Sequence, residues 1–198
     1  MRGNARWMTA GAAGLALALA ALVGPRGAAD DAKTMPKEVT DGVLKIADLL
    51  AKNKDADVSK EAAELKKVDL KFPMRLFKLR KNSGLGVGKA GDVPEKMDGI
   101  ERQLEEVGDG GGIKDFAALQ EMGYRTAAIA AVSEAKAPAK AAGKKNPKDW
   151  VAWSAEMRKA GLELAEAAKA KNAAGVQKAA ATATKTCTKC HDVFRDDE

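Results

Sequence analysis

Between Trp150 and Phe194, apolar residues recur three and four positions apart, and that period constrains the fold more than any other feature of the chain. Trp150, Trp153, Met157, Ala160, Leu164 and Ala167 or Ala168 form one such series, opened by Pro147. Val176, Ala180, Ala183, Cys187, Cys190 and Phe194 form a second, and Asn172 and Gly175 mark the break between them. A period of 3.5 to 3.6 residues belongs to helices that bury one stripe. The same period runs through Phe116, Leu119, Met122, Ile129 and Val132, a helix ended by Pro138. Short connections between such helices make them antiparallel neighbours, so an all-α helical bundle is expected.

The N-terminal half repeats the pattern less regularly. Val39, Val43, Ile46 and Leu50 give residues 36–53 one apolar face, with Pro36 suited to a first helical turn. A second helix is expected from about Val58 to Val68. Pro73 is expected to interrupt any helix around "FPMRLFKLR". A short helix is expected within 94–112, closed by glycines. "SGLGVGKAG", Ser83 to Gly91, superficially suggests a phosphate loop. Only three residues separate Gly84 from Gly88 where that pattern has four, Ala90 follows Lys89, and no strand precedes it. It reads as a flexible connection.

Aromatic residues make up only 4% of the 198 and β-branched residues are sparse, which favours helix over sheet. The start has the three parts of a secretory signal: Arg2 and Arg6, the apolar run Met8–Val23, and small residues at Gly27 and Ala29 ahead of Asp30. The run of 16 residues is short for a span of about 20, so a signal peptide over residues 1–29 with cleavage near Ala29 is expected, leaving residues 30–198 exported and without stable membrane insertion. Three of the formal +6 charges, Arg2, Arg6 and Arg26, lie in that segment, and their removal leaves +3. Such an excess reads as a solvated lysine-rich surface and does not call for nucleic acid.

Both cysteines and the only histidine stand together as Cys187, Cys190 and His191, spelling C-x-x-C-H. At about 100° per residue, all three project from one helix face within about two turns. Covalent haem attachment requires that arrangement: two thiols add to the vinyl groups at one porphyrin edge and the adjacent imidazole reaches the iron. A thioredoxin-type dithiol would sit at a helix start after a strand. A structural zinc site would need a fourth ligand. A disulfide between neighbouring turns would constrain almost nothing, and it would leave the adjacent histidine a coincidence. Haem c, one per chain, is the expected cofactor.

A motif near the C-terminus, on the last helix, resembles the cytochrome c-prime or class II c-type cytochrome family. Phe194 and Arg195 follow His191 as that family's aromatic-Arg pair does, and the preceding helix opens with Trp150 and Trp153 and runs into "LELAEAAKAKN". The resemblance covers residues 113–198. It implies a four-helix bundle, with residues 54–110 as an irregular insertion between the first helices. It implies thioethers at Cys187 and Cys190, His191 as proximal iron ligand, and Arg195 near the proximal haem face. A solvent-exposed cation at the helix end is the plainer reading of Arg195.

A single histidine excludes bis-histidine ligation within one chain. The sixth position is either open, for a small gas such as nitric oxide or carbon monoxide, or filled by methionine, which suits electron transfer. Among Met35, Met74, Met97, Met122 and Met157, the last two lie on apolar helix faces and read as core. Met74 is the distal candidate, though ordinary packing is the plainer reading. Arg75, Lys78 and Arg80 beside it read as a solvated charged face, with haem propionates as the alternative partners. One-electron transfer with redox partner proteins is the expected function, gas binding the alternative. No catalytic constellation is visible, so the chain is not expected to be an enzyme. Family members often form dimers, so a homodimer is worth testing.

Overall fold

In a computed structural model, residues 34–112 and 114–195 are described. The expected signal segment 1–29 lies outside them. Among the described residues there are seven α-helices and no strand, as the all-α reading anticipated. They are α1 (Lys37–Ala51), α2 (Asp55–Glu64), α3 (Lys71–Arg75), α4 (Ile100–Gly108), α5 (Phe116–Ala135), α6 (Pro147–Lys169) and α7 (Ala173–Phe194). None of them is long and apolar enough to cross a membrane.

The three long helices start where their caps predict. The Asp115 carboxylate accepts from the backbone N–H groups of Ala117 and Ala118, at 2.9 and 3.1 Å. The Asn146 side chain accepts from Lys148 N–H at 3.0 Å, with Pro147 in the first turn. Asn172 accepts from Gly175 N–H at 3.0 Å. Each bond satisfies a donor that a helix start leaves without an internal partner.

α5, α6 and α7 pack in sequence as antiparallel neighbours, the core of a four-helix bundle. Gly123 of α5 meets Gly161 and Ala165 of α6 backbone to backbone. Gly161 likewise meets the backbone of Ala127, so the two helices touch over about one turn with no side chain between them. The fourth side is shared: α1 packs on α5, and α4 packs on α7. The core joins Val39, Val43 and Ile46 of α1 to Ile100, Leu104 and Val107 of α4 and to Met122, Ile129, Val132, Leu164 and Val176 of the long helices.

Residues 54–110, expected as an irregular insertion, contain α2, α3 and α4 and bury Val58, Leu65, Phe72, Leu76 and Phe77 in the same core. Pro73, expected to break any helix, lies inside the first turn of α3, where its missing N–H would have had no intrahelical partner. The glycine-rich loop differs from its sequence reading. Leu85 and Val87 are buried, and the chain wraps the Arg80 side chain. The loop buries apolar residues and accepts from the guanidinium through two of its carbonyls, which ties it to the fold.

Candidate functional site

The inward stripe of α7 is buried through Val176, Ala179, Ala180, Ala183 and Thr186. The alanines are covered, because α6 and α4 pack on them. The next two turns emerge from the core. Cys187 and Cys190 are half-buried, and His191 is exposed. The C-x-x-C-H residues therefore sit where the stripe passes from the core to the surface.

The two cysteines are free thiols. The Sγ of Cys187 lies 3.5 Å from the Sδ of Met157 on α6. Burial pushes the Cys187 thiol up to about 11, and the negative charges of Cys190, Glu101 and Glu105 add to the effect. Burial also raises the Cys190 thiol. His191 is shifted the other way. Partial desolvation by its neighbours lowers its pKa first, the Arg195 guanidinium adds to that, and Glu101 opposes it. Arg195 is exposed and caps α7, its N–H donating to the His191 carbonyl at 3.1 Å.

Three elements hold this end of α7. Phe194 packs edge-on against Trp150 and Trp153, with ring centroids 4.9 and 5.9 Å away. The Trp150 indole N–H donates to the Ser133 carbonyl at 2.7 Å, anchoring the aromatic cluster to α5. Lys189 reaches Glu156 of α6 at 3.5 Å. On the other flank, Glu101 of α4 pairs with Lys78 at 2.7 Å.

The methionines separate clearly. Met122 and Met157 are core, as their helix faces predicted. Met35, Met74 and Met97 are half-buried. Met74 stands on α3, whose main neighbours are α1 and α5, while those of α7 are α6 and α4. The methionine that touches the motif is Met157, a contact its core assignment did not reveal. Of the basic trio, Lys78 pairs with Glu101 and Arg75 stacks at 5.9 Å on Phe72. Arg80 departs from the solvated reading: it is half-buried and bonded to Asp98 and two backbone carbonyls. Glu101 and Glu105 had no signal in the sequence, since more than eighty residues separate them from the Cys187 thiol whose pKa they raise.

The donor set fits a covalently held haem. Two unbridged thiols and an imidazole share one face at the end of a helix, beside an apolar sulfur and an aromatic cluster. A family model described as Cytochrome C' matches residues 111–195. No curated protein and no solved structure matches the chain.

Proposed function

We propose, from the match of residues 111–195 to the family model described as Cytochrome C', that the chain is a haem c protein and an exported one-electron carrier. In this reading Cys187 and Cys190 hold the haem through thioethers and His191 is the proximal iron ligand. The carrying observation is the placement of both free thiols and the imidazole on one face of α7, where the helix leaves the core. When bound, the haem supplies a ferric/ferrous couple whose potential follows from its axial ligands and its burial.

The chain's own residues do the rest. Met157 seats the first cysteine against α6. The Trp150–Phe194–Trp153 cluster keeps the last turn of α7 in place, and with it the imidazole one turn back. Arg195 lies beside His191 and would contribute positive charge on the proximal side. Met74 is the distal ligand that electron transfer would use. The reading places the protein in the periplasm or an equivalent exported compartment, as a carrier rather than an enzyme, with redox proteins as partners and a homodimer as the assembly to test.

A second reading, gas binding at an open sixth position, is favoured by one observation: α3, which carries Met74, packs mainly on α1 and α5 rather than on α7. Maturation of the full chain with haem-attachment machinery decides. Haem that stays on the denatured protein supports the cofactor, and its absence sinks both readings. A low-spin ferric spectrum with a methionine–iron band supports electron transfer. A high-spin spectrum that responds to carbon monoxide supports the open site.

A further inference from the structure

The matched segment supplies α5, α6 and α7, so the remaining flank of the motif is closed by residues outside it. That flank is α4, which runs antiparallel to α7. At one end the Gly108 carbonyl accepts from Gln177 at 3.4 Å. A Cβ on Gly108 would stand 3.1 Å from the backbone of Ala181, so the two helices nearly touch there. Seven residues back along α4 from Gly108, the common helical rise brings Glu101 to about the level of Thr188, seven residues along α7 from Ala181, beside Cys187.

α4 has nine residues, too few to persist alone in water. It is held at its start. Glu101 N–H donates to the Phe77 carbonyl at 3.0 Å, and Arg80 N–H to the Asp98 carbonyl at 3.0 Å. The Arg80 side chain makes the strongest tie. Its Nε donates to both carboxylate oxygens of Asp98, at 3.0 and 2.8 Å. Its Nη1 and Nη2 donate to the carbonyls of Leu85 and Gly88, at 2.9 and 2.6 Å. Asp98 is buried and also accepts from Val87 N–H at 3.3 Å. Gly86 has φ +68°, and a Cβ there would lie 2.2 Å from the Arg80 Nε. Only glycine lets the loop pass that close to the guanidinium. Arg125 of α5 donates to the Gly86 carbonyl at 3.1 Å and ties the loop to the bundle.

We propose that α4 is the wall that covers Cys187 at the start of the C-x-x-C-H motif, and that Arg80 is the positioning residue that holds the wall in place through Asp98. Its effect on the iron rests on the haem reading, whereas the wall itself does not. The wall adds to the burial of Cys187, while His191 stays exposed. With haem bound, that burial favours the ferrous form and raises the reduction potential.

Arg80→Met and Asp98→Asn, made in the full chain, test this beside Lys136→Met. Lys136 binds the Lys66 and Val68 carbonyls, away from α4, and controls for general loss of stability. In the haem-free full chain, maleimide labelling of Cys187 is followed by peptide mass. Labelling should quicken at least about tenfold in both lock variants and stay unchanged in Lys136→Met, because a charge-assisted bond to a buried carboxylate is lost only in the first two. In haem-matured protein the lock variants should show a lower reduction potential, and Lys136→Met the wild-type value. Wild-type labelling rates in the lock variants overturn the wall, whatever the haem result. Wild-type protein without covalent haem overturns the functional reading and leaves the labelling to judge the wall. If the lock variants do not fold, hydrogen exchange on the wild-type chain decides: amides of α4 as protected as those of mid-α7 support the wall, and freely exchanging ones overturn it.

Discussion

The Sγ of Cys187 and the Sδ of Met157 lie 3.5 Å apart, so the first residue of the C-x-x-C-H motif is bound into the core of the neighbouring helix. A polarizable thioether is well suited to this position, because it fills an irregular gap against another sulfur. Met157→Ala should cost about 2–4 kcal/mol, the range for truncating a buried methionine, since only 7% of its surface is exposed. Denaturant unfolding of the full chain measures it. A cost below about 1 kcal/mol would mean that α7 closes on the cavity.

Alkaline pH should expose the burial of the same thiol. In the haem-free chain its folded pKa of about 11 exceeds the ordinary value of 9.0. The unfolded state therefore releases the proton first. The contribution is fully present below pH 9 and is lost as pH rises toward 11, by at most about 1.4 kcal/mol per unit. Unfolding midpoints between pH 8 and 11 should fall more steeply for the wild type than for Cys187→Ala. Parallel curves would refute the burial.

The crossing of α5 and α6 admits no side chain at Gly123. A Cβ there would lie 2.6 Å from Ala165 N and 2.7 Å from the Gly161 carbonyl oxygen. Alanine favours a helix by about 1 kcal/mol over glycine, but the backbone contact must open to admit it. Gly123→Ala should therefore destabilise by about 1–3 kcal/mol, seen as a lower melting temperature. A stabilised variant would show that the helices cross further apart.

Phe194 joins the last turn of α7 to two tryptophans of α6. Removing it in Phe194→Ala loses two edge contacts of about 0.5–1.5 kcal/mol each, reduced here by partial exposure. The expected result is a frayed helix end, a red-shifted tryptophan emission and a small loss of far-ultraviolet helicity. Phe194→Tyr should preserve all three. Unchanged emission in Phe194→Ala would place the ring elsewhere.

The long helices and the motif were legible because their signals are local. Pro147 opens one helix and Asn172 marks the start of the next, and apolar spacing shows which stripe turns inward. The glycine loop was misread as flexible because its partner, Arg80, is defined by contacts with Asp98 eighteen residues on. Loop composition reports which backbone conformations are allowed, and it does not report what the loop encloses. Small residues such as the alanines of α7 permit either a ligand or a close helix, a choice that spacing does not make, and here α4 and α6 pack on them.

By itself the sequence determined that Cys187, Cys190 and His191 share one face of one helix, because helical geometry relates residues three and four apart without help from the rest of the chain. Tertiary structure decided what that face meets. It placed Met157 against the first thiol, packed α4 on the helix that carries the motif, and left Met74 on a helix that packs mainly elsewhere. Burial and electrostatic surroundings belong to whichever segments pack together. That pairing is the outcome of all the apolar faces competing for one core, so no single stretch carries it.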